Sequence, residues 1–308
     1  MATKPKLSFS EQLREETAAV RIHHEKFGIR RSLTDSQISV AAEVFDADPD
    51  TMSASKKLLD TRNPAYRKVV NVKTRATQYW KAHTVPYPEP GIRLIRRSLT
   101  TAFHEAMAGF RAELTEAVRE LDLQYHTLRN EAQGRLGALY NGEDYPDSLL
   151  GMFSLGWDFP AVEPPEYLAE LNPALYEREQ QRVAERFEEA LRLTEEAFTA
   201  ELSKLVTHLV ERLKGENDDG KPKIFRDSAV GNLMTFFDKF RDLNIRSDTD
   251  LETAVQSVET AVAGVDVKSL RSDDSLRTQL AASLGEVQSE LDAMMVNKPK
   301  RSISFDDE

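Results

Sequence analysis

The sequence of 308 residues contains no cysteine. This absence excludes disulfides, thiolate zinc sites, iron–sulfur clusters and cysteine nucleophiles. The chain also lacks a run of about 18 apolar residues, which a membrane-spanning helix requires. Its first residues, MATKPKLSFSEQ, have none of the apolar character of a secretory signal peptide. We therefore expect a cytoplasmic protein that has no membrane partner.

Sequence motifs that carry catalysis are missing as well. None of the six histidines belongs to an HExxH motif or follows a glutamate by three residues, and no GxSxG or GxGxxG is present. Gly215 to Lys221 matches the start of a phosphate-binding loop, but Pro222 replaces the hydroxyl residue that holds magnesium. The sequence therefore predicts no catalytic residue, no metal ligand and no cofactor.

Charge is distributed unevenly along the chain. The formal net charge is −11, yet residues 56–97 contain eleven basic and only two acidic residues. Such a block within an acidic protein indicates either an anionic partner or ion pairs within the chain. Its aromatic residues, which include Tyr66 and Trp80, could stack on bases or form the apolar face of a helix. The candidate nucleic-acid-binding residues are Lys56, Lys57, Arg62, Arg67, Lys68, Lys73, Arg75, Lys81, Arg93, Arg96 and Arg97.

Helical periodicity dominates the rest of the sequence. From Leu99 to Leu139 apolar residues recur every three or four positions, and a second stripe runs from Val183 to Leu213 after the cap Asn172-Pro173. Each helix would be roughly 60 Å long at about 1.5 Å per residue. Because neither stripe can be buried alone, we expect the two helices to pack as an antiparallel hairpin that resembles a coiled coil.

Shorter helices are expected on both sides of this hairpin. Ser8 and Glu11 form a capping-box signature, and apolar residues at helical spacing extend to Phe27, before Gly28. Thr249 and Glu252 repeat the signature near the carboxyl terminus. The predicted short helices cover about residues 36–45, 227–243, 250–263 and 274–295, and a longer one starts at Asn63-Pro64.

The segment between the two long helices is rich in proline and aromatic residues. Phe153, Leu155, Trp157 and Phe159 alternate with other residues, which permits a short strand. An irregular cap over the end of the hairpin is the other interpretation. In either case Phe153, Trp157 and Phe159 are candidate anchors for a protein partner.

The predicted fold class is therefore all-α: an elongated antiparallel hairpin with helical subdomains at both ends and a short irregular or β-containing insertion at its tip. The expected organisation is a helical region at 1–97, the hairpin at 98–214 with its tip at 142–172, a linker at 215–223, a helical subdomain at 224–296 and a disordered tail at 297–308.

Several short stretches resemble an uncharacterised family of long-helical phage and bacterial proteins, known only as a domain of unknown function. They are SKKLLD from Ser55, TVPYPEPGIRLI from Thr84, DYP from Asp144, IFRDS from Ile224 through Asn232, LN at Leu243 and DTDL from Asp248. The resemblance implies an all-helical fold with an elongated hairpin. It also implies a partner, because such genes often lie near those of an AAA+ ATPase and a von Willebrand factor A-type protein. It brings no catalytic residues.

Three functions are compatible with these observations. The first is a non-enzymatic scaffold or adaptor of phage or mobile-element type, which associates with itself and with a protein partner, as in an ATPase-linked assembly. The second is a nucleic-acid-binding protein that uses residues 56–97. The third is an enzyme whose site is assembled from scattered residues, for which the sequence names no candidate.

Overall fold

The computed structural model of the chain describes residues 7–214, 227–244, 247–265, 269–270 and 273–297. These residues are mostly helical, with short strands between the helices. The helices are α1 (Phe9–Glu16), α2 (Asp35–Val44), α3 (Pro64–Ala82), α4 (Thr100–Leu136), α5 (Tyr167–Leu171), α6 (Pro173–Lys214), α7 (Asp227–Leu243), α8 (Thr249–Val262) and α9 (Asp274–Asn297). The strands are β1 (Thr17–Glu25), β2 (Arg30–Ser32), β3 (Ser55–Lys57), β4 (Val85–Pro86), β5 (Ile92–Arg96) and β6 (Ser154–Asp158).

The predicted all-α fold class is wrong, because the chain also forms two β-sheets. Strands β4, β5, β1 and β6 are hydrogen-bonded in that order into an antiparallel sheet, and β2 pairs with β3 in a second one. The insertion between the long helices contributes β6, the short strand that the alternating aromatic residues permitted.

Strand β1 replaces the second half of the helix that we expected to extend to Phe27. Helix α1 has the predicted capping box at Ser8 but ends at Glu16, and Thr17 is already extended while its Oγ1 donates to Leu13 O at 2.6 Å. From Arg21 onward β1 pairs with β6, with Arg21 opposite Asp158. Because the paired residues of β6 lie 129 to 137 positions away in the sequence, local helical spacing gave no indication of this pairing.

The chain divides into two compact units. The chain is also not the plain helical hairpin that we predicted from α4 and α6. Unit 1 consists of Met1–Ala19, His83–Arg97 and Ala161–Glu308, and unit 2 of Val20–Ala82 and Ser98–Pro160.

In unit 1, helix α6 is the central element, and helices α1, α7, α8 and α9 pack on it. An aromatic cluster joins α6 to α7, in which the ring of Phe198 lies 5.1 Å from that of Phe240 and 6.1 Å from that of Phe236. The buried guanidinium of Arg277, on α9, donates to the carbonyl oxygens of Arg212 and Leu213 at 3.1 Å. These bonds satisfy two backbone acceptors that the end of α6 would otherwise leave unpaired.

In unit 2, helices α3 and α4 pack along each other in antiparallel directions. Lys68 forms an ion pair with Glu120 at 2.6 Å, and Arg75, further along α3, pairs with Glu113, which lies earlier on α4. Helix α3 thus covers part of the apolar stripe of α4. The buried residues of α3 recur every three or four positions and are Ala65, Val69, Val72, Ala76 and Trp80.

The predicted helix boundaries are confirmed to within a few residues for α2, α3, α4, α6, α7, α8 and α9. One cap differs, because the side chain of Asp248, not that of Thr249, accepts the first backbone N–H bonds of α8. The predicted linker at 215–223 and residues 298–308 of the predicted tail lie outside the described residues.

Candidate binding cleft

A cleft of about 660 Å³ lies in unit 2 along the exposed side of α3. Beyond α3, it is lined by the end of β1 with His24, by Lys26 and by Phe153, which immediately precedes β6. Both neighbouring segments reach this position because β1 pairs with β6, where Glu25 faces Ser154 in the register. The cleft is therefore assembled from three segments that are distant in sequence.

The lining residues of α3 form a stripe at helical spacing. Tyr66, Val70, Lys73, Thr77 and Lys81 follow one another at intervals of four, three, four and four residues, so they lie on one face of the helix. This face is offset by one residue from the one that α3 buries against α4. Helix α3 thus buries an apolar face against α4 and presents a second face, of mixed apolar and basic residues, to the cleft.

Three lysines give the cleft a positive charge. Lys26 and Lys81 are exposed, and neither forms an ion pair with a residue that the structure describes. Lys73 is half-buried and its Nζ donates to Glu25 O at 3.0 Å. Burial, reinforced by the charge of Lys26, lowers the pKa of Lys73.

The described residues that line the cleft include no aspartate or glutamate. The nearest carboxylate in sequence, that of Glu25, accepts a hydrogen bond from Ser154 Oγ at 2.8 Å. The local excess of ammonium groups in the cleft contrasts with the net charge of −11 of the whole chain. It leaves the cleft with a positive potential that an anionic ligand can neutralise.

His24 connects the end of β1 to α3. Its Nε2 and Thr77 Oγ1 are 3.0 Å apart, within hydrogen-bond distance. Burial, followed by the charges of Lys73 and His23, lowers the pKa of His24 below its usual value. The imidazole is therefore mostly neutral near pH 7, and the lysines supply the positive charge of the cleft.

Apolar and aromatic side chains complete the lining. Val69 is fully buried at the floor, whereas Val70 remains 43% exposed at the side of the cleft. Tyr66 and Phe153 are half-buried, and burial raises the pKa of the Tyr66 hydroxyl. The cleft thus offers apolar contact surface between its lysines, as sites for amphipathic ligands do.

No protein-family model, curated protein or solved structure matches this chain. The candidate site therefore rests on geometry alone. Among the described residues, no helix is both long enough and apolar enough to cross a lipid bilayer. The same part of the chain holds no group of three or more histidine, aspartate or glutamate side chains arranged to bind a metal ion.

The structure separates the eleven basic residues that the sequence singled out. In unit 2 four of them form ion pairs with carboxylates: Lys56 with Asp144, Arg62 with Asp60, Lys68 with Glu120 and Arg75 with Glu113.

Three others belong to unit 1. There Arg93 donates to Thr84, Arg96 lies 3.3 Å from Glu16, and Arg97 donates to Thr17 O.

The remaining four cations of the block lie in unit 2 and differ in position. Lys73 and Lys81 line the cleft. Lys57 and Arg67 are exposed outside it, without an ion pair to a described residue. The structure therefore brings two residues of the predicted block together and adds Lys26, which the sequence block did not include.

The three aromatic residues predicted as protein anchors have different surroundings. Phe153 lines the cleft. Trp157 is half-buried, donates from Nε1 to His104 Nδ1 at 3.2 Å, and has the Arg111 guanidinium 4.9 Å from its ring centre. Phe159 is 43% exposed.

Sequence reasoning missed Lys26 and His24 as cleft residues. The segment RIHHEK around them was assigned to a helix, and nothing local indicates that it folds beside α3. A signal does exist in α3, where the second stripe from Tyr66 to Lys81 mixes apolar and basic residues. Such a stripe on an otherwise packed helix indicates a second face, which α4 does not cover.

Proposed function

We propose that this protein is a non-enzymatic adaptor whose lysine-lined cleft binds an acidic, partly apolar segment of a partner protein. One observation carries the proposal: three ammonium groups surround an apolar floor, and the described lining residues contribute no carboxylate. A ligand that neutralises Lys26, Lys73 and Lys81 while it covers Val70 would satisfy both features of the cleft.

The dimensions of the cleft also support a peptide ligand. Tyr66 and Lys81 are fifteen residues apart on α3, which is roughly 22 Å at about 1.5 Å per residue. A segment of about four helical turns could lie along this face, in the manner of a helix bound in a groove. The lysines at one end would then contact acidic side chains, and Tyr66 and Val70 would contact apolar ones.

Single-stranded nucleic acid is the second candidate ligand. Tyr66 and Phe153 near the lysines favour it, since bases stack on aromatic rings between phosphate contacts. Against it, much of the basic block is already paired with carboxylates, so a phosphate backbone would find few additional cations in unit 2. The AAA+-linked partner that the family resemblance implies stays a prediction.

Fluorescence anisotropy of the full chain with two probes tests the proposal. The first probe is a labelled 16-residue helical peptide of glutamate and leucine, and the second is a labelled 12-nucleotide oligo-dT. We expect the peptide to bind, and the double variant K26E/K81E to weaken its binding at least tenfold. Both lysines are exposed, so these substitutions should leave the fold intact.

The matched control is K57E/R67E, which makes the same change in net charge on exposed residues outside the cleft. It should keep peptide affinity within about twofold, apart from the uniform effect of added negative charge. Equal weakening by both variants, or no peptide binding, would contradict the proposal. Binding of the oligonucleotide in preference to the peptide would establish the second candidate instead.

A further inference from the structure

Helix α2, in unit 2, exposes an apolar face. Val40, Val44 and Phe45 lie within one and a half turns at its carboxyl end and are 64%, 76% and 74% exposed. Only Ala42 of this helix is buried. Three large apolar side chains this accessible in one place form a patch that a partner would cover.

The surroundings of this patch are acidic. Glu43, Asp46, Asp48 and Asp50 are all exposed, and the sequence from Asp35 onward contains no lysine or arginine before Lys56. Asp46, with φ of 50°, turns the chain out of α2, and Asp48 Oδ1 accepts from the Asp50 backbone N at 3.0 Å. The turn therefore holds these carboxylates close to the end of the apolar face.

The α2 face and the cleft have complementary chemistry. One presents three apolar side chains with an acidic border, and the other an apolar floor with lysines. The α2 face is exposed in the structure, so it does not fill the cleft of its own chain. Resting on the proposed function of the cleft, we propose that its occupant is the α2 face (Val40, Val44 and Phe45 with their acidic border) of a second copy of this chain.

This contact joins two different surfaces, so it is heterologous. Each copy would insert its α2 face into the cleft of the next, which produces a ring if the rotation closes and a filament if it does not. A two-fold contact between two α2 faces would instead bring eight carboxylates together, four from each copy, and electrostatic repulsion opposes it. Charge complementarity therefore favours the α2 face against the cleft.

Sedimentation velocity with the full chain tests this inference. We expect the wild-type protein at 100 µM and 50 mM salt to have a weight-average mass at least twice the monomer mass of 34.8 kDa. The face variant V44S/F45S and the cleft variant K26E/K81E should each sediment as monomers. The control K57E/R67E should associate as the wild type does.

Mixing the face variant with the cleft variant gives the decisive result. Each keeps one intact surface, so the mixture should form a 1:1 dimer and nothing larger. A monomeric wild-type chain, or variants that associate like the wild type, would overturn the inference. If the cleft nevertheless binds the glutamate–leucine peptide, the proposed function stands and only the second copy is excluded as its occupant; failure of both experiments would exclude both proposals.

Discussion

The ammonium group of Lys56 lies 2.7 Å from Asp144 Oδ2 and donates to Leu139 O, also at 2.7 Å. The side chain of Lys56 is 7% exposed, which is exceptional for a lysine. It connects β3 to the segment that follows α4, within unit 2. The sequence placed Lys56 among the cations available to nucleic acid, but its charge is already neutralised inside the fold.

Replacement of Lys56 should therefore destabilise the protein. K56M leaves the carboxylate of Asp144 with only the longer contact to Arg31, at 3.8 Å, in a site of limited solvent access, which should lower the free energy of unfolding by about 3 kcal/mol. Urea denaturation followed by circular dichroism measures the effect. The control K57M changes the exposed neighbour and should stay within about 0.5 kcal/mol of the wild type; similar values for both variants would show that the pair has no structural role.

The ion pairs between α3 and α4 should contribute little individually. Arg75 lies 2.7 Å from Glu113 and 5.4 Å from the ring centre of Phe110, but its side chain is 49% exposed. We expect R75M to lower the free energy of unfolding by about 1 kcal/mol. R67M, on the same helix without such contacts, should have no measurable effect, and a larger loss for R67M than for R75M would contradict the assignment.

His24 should make stability depend on pH. Its pKa is lowered in the folded protein, so the unfolded chain binds more protons as the pH falls below about 6.5. This contribution to stability is complete above that pH, decreases as the pH falls towards the lowered pKa, and is constant below it. H24Q keeps a side chain that can reach Thr77 but does not titrate, so its stability should fall less than that of the wild type between pH 7 and pH 5.

Parallel pH profiles of the midpoint of urea denaturation would measure this difference. H208Q is the control, because His208 is exposed on α6 and does not line the cleft. Identical profiles for the wild type and H24Q would contradict the lowered pKa of His24.

The aromatic cluster should determine the stability of unit 1. Phe236 is 1% exposed and packs against Phe198 and Phe240, so F236A should cost about 3–4 kcal/mol. Met234 is 43% exposed on the same helix, and M234A should remain within about 0.5 kcal/mol of the wild type. Thermal or urea unfolding measures both, and a loss for M234A equal to that for F236A would show that α7 packs with a different face.

Helix positions could be predicted from the sequence, but helix partners could not. The stripe from Leu99 to Leu139 identifies α4 because periodicity is a local property. Which neighbour covers that stripe depends on contacts between distant residues, such as Arg75 with Glu113. An apolar stripe alone does not specify which element covers it, so the sequence did not predict that α3 packs on α4.

Strand β1 also shows that a local sequence pattern does not reveal contacts between distant residues. Val20 and His24 fit a helical period, yet pairing of Arg21 with Asp158 across the sheet determines the extended conformation. The candidate cleft depends on that pairing, because it places His24 and Lys26 beside α3. Of the three lysines that line the cleft, only Lys73 and Lys81 could be predicted as binding residues, because they belong to the basic block at residues 56–97.

Amine labelling of the native protein tests the central claim most directly. The full chain at 1 µM is treated briefly with an acetylating reagent, with and without the glutamate–leucine peptide in excess, and each lysine is quantified by mass spectrometry. We predict that the peptide lowers modification of Lys26 and Lys81 at least fivefold and leaves Lys57, exposed outside the cleft, unchanged. Unchanged labelling of Lys26 and Lys81, or equal protection of Lys57, would contradict the assignment of the cleft as the binding site.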